Sequence, residues 1–254
     1  MHRFYLEAGR CAESELRLDG REAHHALHVL RAKRGEPAIV LDGAGNELLC
    51  EIAGVLPDAV ELRVAKKNFI PPLPCQITLL QALPRGKIIE AIIQKSVELG
   101  AHRIVPLLTE RVVTRLDDRS AEYKREKWRQ VAIEAIKQCG AAWLPEIDAP
   151  TSLSTLNPQL STYELSLVGS LQSERRHPRE IIRAFEMSNG RPPKSVAVWI
   201  GPEGDFTPNE LKMIEASGAL PISLGRLTLR VETAAIYCLS ILNYELNSGP
   251  ESKL

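Results

Sequence analysis

Apolar and polar positions alternate in two different ways along the chain. In the first 70 residues they make short runs of strand character, "EPAIVLDG", "ELLCEIAGV" and "AVELRVAKK", divided by Gly, Asp, Asn and Pro. Such runs predict short strands joined by turns, the makings of a small β-barrel. One helix interrupts them, "GREAHHALHVLRAKRG", with Asp19 placed to cap its start and Gly35 its end, and with Ala23, Leu27 and Leu30 at helical spacing. From Cys75 onward the period changes. Apolar strands "CQITLLQA", "RIVPLL", "YELSLVGSL", "SVAVWIG" and "LPISLG" alternate with amphipathic helices. In "GKIIEAIIQKSVELG", Ile89, Ile92, Ile93 and Val97 fall on one face and Gly100 closes the helix. In "AEYKREKWRQVAIEAIKQCG", Trp128, Val131, Ala132, Ala135, Ile136 and Cys139 recur every three or four residues. Further helices are expected near Pro178 to Met187 and Thr207 to Ser217, and "VETAAIYCLSILNYEL" makes the last one. Strands alternating with helices predict a mostly parallel sheet covered on both faces, hence an α/β fold.

The change of pattern sets the domain limits. Pro71, Pro72 and Pro74 cannot lie within a helix or a central strand, so residues 71–74 read as a linker between a domain at 1–70 and a second at 75–248. The chain has 254 residues, long enough for two domains. Its 32 basic and 32 acidic side chains cancel, so a nucleic-acid partner has to be held by a local basic patch. Five scattered cysteines argue against a disulfide framework and against a zinc ribbon. There is no signal-peptide pattern and no apolar run of about 20 residues, so a cytoplasmic protein with no membrane partner is expected.

Three strands of the second domain end in glycine, at Gly169, Gly201 and Gly225. Ligands of open α/β sheets bind beyond the carboxyl ends of the strands. The stretch "IGPEGDFTPNELKMIEASG" runs from Ile200 to Gly218. Thr207, Pro208 and Glu210 supply a capping box with proline in the first turn. With those donors used and Glu203 and Asp205 close by, the turn is a poor phosphate cradle and matches neither the P-loop nor the dinucleotide fingerprint. Acidic groups beside a glycine turn suit a cation, a ribose hydroxyl or an amine. S-adenosylmethionine offers all three, and chemistry alone does not select it.

"IGPEGDFTPNE" followed by "LGRLTLRVETA" resembles the SPOUT superfamily of methyltransferases, and more closely the RsmE family, which methylates N3 of one uridine in bacterial 16S ribosomal RNA. "RFYL", "HHALHVLRAKRGE", "QKSVELGAHRIVPLLTERVV" and "EAIKQCG" agree in order, so the resemblance spans nearly the whole chain. It implies a PUA-like RNA-binding barrel followed by a methyltransferase domain with a C-terminal trefoil knot, a homodimer, S-adenosylmethionine as cofactor, 16S rRNA within the small ribosomal subunit as partner, and no metal. Carried over by position, it places the cofactor on Leu167, Val168 and Gly169, on Ile200, Gly201, Pro202, Glu203 and Gly204, and on Leu224, Gly225, Leu227 and Leu229. Arg230 and Glu232 match the family's "LRTETA". Three departures stand out: Asp205 where the family has a second glycine, Val231 for a threonine, and Ala141 for an arginine. Asp205 can still adopt the turn, since aspartate tolerates left-handed geometry.

Uracil N3 carries a proton that must be removed. Glu203 and Glu232 are candidate bases, and Arg230, always protonated, can stabilise the developing anion. An ion pair between Arg230 and Glu232 that fixes the last helix is the competing structural reading. His24, His28 and Arg31 follow at i, i+4 and i+7, and with Arg3, Lys33 and Arg34 form a candidate stripe for RNA phosphate. The H-x-x-x-H spacing also fits a metal, but no further ligand is near in sequence. Arg111, Arg115 and Arg119 add charge, as substrate contacts or as interface ion pairs, Arg111 being a candidate RNA contact. Competing functions are a SPOUT methyltransferase acting on transfer RNA or on a ribose hydroxyl, and an inactive RNA-binding assembly factor.

Overall fold

The computed structural model describes residues 1–111, 117–156, 162–171 and 174–248, so Arg115 lies outside the described residues. They form two compact units, Met1–Pro72 with Ile133–Leu144, and Leu73–Ala132 with Pro145–Leu254.

In the first unit, β1 (His2–Tyr5), β2 (Glu15–Leu18), β3 (Pro37–Leu41), β4 (Asn46–Val55) and β5 (Val60–Phe69) make one sheet in the order β1-β3-β4-β5-β2. The ladder runs from β1 to β2 without closing among the described residues, so the sheet is a half-barrel. Irregularities between Leu49 and Cys50 and between Ile52 and Gly54 let the long β4–β5 hairpin bend. Inward positions Phe4, Leu16, Leu18, Leu48, Ile52 and Leu62 form its core.

The helix of this unit is shorter than its apolar spacing predicts. α1 (Gly20–His24) widens into a π-turn over His25–Val29 and stops at Leu30, not at Gly35. Leu30 N–H reaches back five residues to the His25 carbonyl (3.0 Å), and Ala32 N–H closes on the Ala26 carbonyl (2.9 Å). Between them Arg31 takes φ 53°, a left-handed stop usually given to glycine. Buried Ala32 anchors this turn. Asp19 does not cap with its side chain either; it pairs with Arg10 at 2.7 Å. Glu22 instead receives Tyr5 N–H (3.2 Å) and the ammonium of Lys137 (2.7 Å), which also meets Glu134 at 3.0 Å. Lys137 is only 7% exposed. Deleting one partner of such a buried pair costs about 3 kcal/mol.

In the second unit, β6 (Gln76–Ala82), β7 (Arg103–Leu108), β8 (Glu146–Ile147), β9 (Thr151–Ser152), β10 (Leu165–Gly169), β11 (Ser195–Ile200) and β12 (Leu220–Ile222) build a sheet in the order β12-β10-β11-β6-β7-β8, with β9 also on β7. Every pairing is parallel. The helices are α2 (Ile88–Glu98), α3 (Asp118–Cys139), which runs across the boundary between the units, α4 (Leu153–Leu156), α5 (Pro178–Asn189), α6 (Pro208–Ala216) and α7 (Val231–Asn247). Leu80, Ala82 and Trp199 on one face of the sheet pack with Phe206, Leu211 and Ile214 from α6 and the turn before it. α7 packs on β6 and β11 and against α2. Two covered faces explain why β6, β10 and β11 are mostly apolar, with Thr78, Gln81 and Ser166 buried among them. The strand order also matters for function, because it sets the carboxyl ends of β12, β10 and β11 side by side.

Candidate functional site

Those ends, with the first turn of α7, enclose a cleft of about 390 Å³. Gly169, Ile200, Gly201, Pro202, Glu203, Leu224, Gly225, Leu227 and Leu229, all expected to be cofactor contacts, line it. Leu167 and Val168 do not; they are fully buried within β10. Gly204 does not line it either, and a Cβ there would come within 3.0 Å of the Arg111 guanidinium. Arg230 and Glu232 both line the cleft. The structure adds Ile88, Ser170, Leu171, Arg175, Asp205, Thr228, Val231 and Ala234. Of these, Thr228 lies within the expected stretch Leu224 to Leu229, and Ser170, Leu171, Asp205 and Val231 adjoin the expected residues in the chain. Ile88 comes from α2, far away in the chain, and nothing local marks it.

The turn from Gly201 to Asp205 is held from several sides. Asp205 N–H bonds to the Pro202 carbonyl at 2.9 Å, and Asp205 itself has φ 64°. Aspartate thus takes the left-handed position where glycine is the usual residue. Its side chain offsets the strain: Oδ1 accepts Phe206 N–H (2.8 Å) and Oδ2 accepts Leu171 N–H (3.2 Å) from the loop after β10. Glu203 Oε1 accepts Arg85 N–H (2.9 Å) from the loop after β6. Arg111, from the loop after β7, donates to the Asp205 carbonyl at 3.1 Å. Glu210, 3% exposed, completes the predicted capping box with Thr207 and also accepts Glu110 N–H at 2.8 Å. Gly201 is needed for this closeness, since a Cβ there would lie 3.1 Å from Asp205 Oδ1 and 3.2 Å from Phe206 N. The acidic groups of the turn therefore serve the neighbouring strand ends.

The loop from Ser223 to Arg230 is built differently. Ser223 Oγ receives Gly225 N–H at 3.3 Å, and Gly225 has φ 113° with open space where a Cβ would stand. Beyond that, the backbone N–H groups of Leu224 and of residues 226–230 donate to no group among the described residues. Leu227 is 79% exposed. A row of unspent donors beside apolar side chains suits a flat heterocycle held by its edge. Arg230 is the residue before α7 and Glu232 lies in its first turn. No ion pair joins them, and neither side chain has a partner, among the described residues.

The residues expected to meet RNA are not a single stripe. Arg3 donates to the Lys137 and Gln138 carbonyls (3.4 and 3.3 Å) at the end of α3. His24 and His28 lie beside each other, ring centroids 4.8 Å apart and tilted by 49°, but the π-turn and the left-handed Arg31 break the i, i+4, i+7 register. Lys33 and Arg34 are exposed, and Arg111 holds the Asp205 turn. Among the described residues no group of three or more His, Cys, Asp or Glu side chains is placed to hold a metal.

Two family models match the chain: an RNA methyltransferase domain over residues 71–243 and an RNA methyltransferase PUA domain over 18–65. Ribosomal RNA small subunit methyltransferase E of Bacillus subtilis is 32% identical over 251 residues, covering 96% of this chain and 97% of its own. The protein of the same name from Synechocystis is 30% identical over 252 residues, covering 97% and 78%. A methyltransferase of Legionella pneumophila, solved in complex with bound SAM, superposes with a TM-score of 0.84 at 32% identity, covering 96% of this chain and 97% of that one.

Proposed function

We propose that this chain, which belongs to the RNA methyltransferase family and resembles the small-subunit methyltransferases E along its length, methylates N3 of one uridine in 16S rRNA of the small ribosomal subunit. It is an S-adenosylmethionine-dependent rRNA methyltransferase. The observation that carries the finer reading is the cleft with its row of free backbone donors and its unpartnered Arg230 and Glu232.

The cleft fits the cofactor on its own chemistry. Leu224, Leu227 and Leu229 offer apolar contact, and the amides of residues 226–230 offer donors to an adenine edge. The carboxylates of Glu203, Asp205 and Glu232 offset the ammonium and sulfonium charges. When bound, S-adenosylmethionine supplies the methyl group that passes to the uracil nitrogen. The chain's own residues do the rest. Glu232, with no competing partner, accepts the N3 proton. Arg230 stays protonated and stabilises the uracil anion as it forms. Glu203, also a candidate base, is better employed holding Arg85 N–H, and so shapes the cleft. Much of the rate comes from holding the two reactants in line.

Residues 1–70 would act as the RNA-binding domain, 71–74 as linker and 75–248 as the catalytic domain. His24, His28, Arg31, Lys33 and Arg34 are the phosphate contacts of the first, and a homodimer in the cytoplasm is the working form. No helix is long and apolar enough to cross a membrane among the described residues. The test is to incubate the protein with S-adenosylmethionine and unmethylated small subunits and map modified nucleotides by mass spectrometry. A single N3-methyluridine is expected. A methyl on a ribose, on transfer RNA, or nowhere despite cofactor binding would overturn this reading, the last in favour of an assembly factor.

A further inference from the structure

A second concavity lies in the same unit, between the start of α2 and the first turns of α3, with a volume of about 550 Å³. Lys87, Arg119, Lys124 and Lys127 line it, against one carboxylate, Glu90. Only Lys127 is neutralised, by Glu90 at 2.6 Å, which also ties α3 to α2. Lys87, Arg119 and Lys124 have no ion-pair partner among the described residues. In a chain whose charges cancel, three unpaired cations around one groove mark a local anion track. Trp128, 4% exposed, closes the floor, while Tyr123 stands 72% exposed on the rim. Cations beside an exposed aromatic face are the pairing that single-stranded nucleic acid uses, phosphate on the charges and a base on the ring.

The groove and the cleft are lined by consecutive residues at the start of α2. Arg85 N–H holds Glu203, Lys87 lines the groove and Ile88, the next residue, lines the cleft. We propose that this groove carries the RNA strand flanking the target nucleotide, with Lys87, Arg119 and Lys124 on its phosphates and Tyr123 under a base. The proposal rests on the functional reading above and adds the path by which the substrate reaches the cleft. An acidic protein would use the cations but has no need of a stacking ring beside a catalytic cleft.

The test uses the full chain and unmethylated small ribosomal subunits, with Arg119→Glu/Lys124→Glu, Tyr123→Ala and Tyr123→Phe. The double variant is expected to bind S-adenosylmethionine within about twofold of wild type and to lose about tenfold or more in kcat/KM for subunits, with a log–log salt dependence shallower by about one to two units. Tyr123→Ala should lose about tenfold and Tyr123→Phe should restore it. Should the double variant fail to fold, as judged by thermal unfolding, Arg119→Gln alone carries the salt measurement. Wild-type values and salt slope in the variants would overturn the groove. So would a photo-crosslink from position 123 to a ribosomal protein instead of RNA, or dissociation of a dimer by the charge reversal. A wild-type protein that leaves the subunits unmethylated defeats the functional reading instead, which keeps the two failures apart.

Discussion

Two loops flank the cleft and solve opposite problems. The turn after β11, Gly201 to Asp205, uses its side chains to collect backbone amides from the ends of β6 and β10, and is itself held by Arg111 from the end of β7. The loop after β12, Ser223 to Arg230, makes almost no internal hydrogen bonds and leaves a run of amides free. The first spends its polar groups on the protein and the second keeps them for a ligand. Carboxylates in a glycine turn need not mean that they hydrogen-bond a ligand; these lend the cleft their charge while their hydrogen bonds go to the protein. Here they make it a clasp, and the binding edge is supplied by the neighbour that has no such groups.

The sharpest way to break this contrast is Asp205→Ala. It removes two hydrogen bonds to a charged acceptor and leaves alanine at φ 64°, so a loss of about 2 kcal/mol in unfolding free energy is expected, with weaker cofactor binding. Calorimetric unfolding and S-adenosylmethionine titration measure both. Asp205→Gly sharpens it: the backbone strain goes but the clasp stays open, so cofactor affinity should recover only in part. Next, Arg230→Ala should leave cofactor affinity within about twofold while methylation falls about tenfold or more, because the side chain acts on the developing anion. Turnover near that of wild type would remove Arg230 from the chemistry. Smaller still is Glu203→Gln. The amide oxygen can still accept Arg85 N–H, so activity within about threefold of wild type is expected, whereas loss of a true base costs about a hundredfold.

The smallest effect is a control on the fold. Burial raises the thiols of Cys11 and Cys50 to about 11 and those of Cys75 and Cys238 to about 12, which lowers their thiolate fraction at any working pH. Only Cys139 is exposed. Labelling with a thiol reagent should therefore show one fast group and four slow ones. Arg230→Ala should keep this pattern. Asp205→Ala should loosen Cys75 and Cys238, which share its unit.

What was legible in the sequence followed from local rules. The apolar face of α2, most of that of α3 (Trp128, Ala132, Ala135 and Ile136 are buried, Cys139 is exposed) and the capping box of α6 follow from residues within a few positions of one another. α1 was overrun, because its stop is Arg31 in a left-handed turn with no glycine to announce it. β1, β2, β8 and β9 span two to four residues, too few to show a period. In the cleft, the glycine-ended strands were visible, but the task of Asp205 was not, since its partner Leu171 lies 34 positions away. Ile88 and Arg175 reach the cleft only through the order of the strands. A trefoil knot leaves no periodic trace at all and entered through the resemblance of the two glycine loops.

The most direct test is amide hydrogen exchange with and without S-adenosylmethionine. Residues 224–230 should exchange fast in the free protein and slow strongly on cofactor binding. Asp205, Phe206 and Leu171 amides should be slow from the start and change little. Rapid exchange at Asp205 and Leu171 in the free protein, or cofactor protection centred on residues 201–206 with none at 224–230, would contradict this contrast.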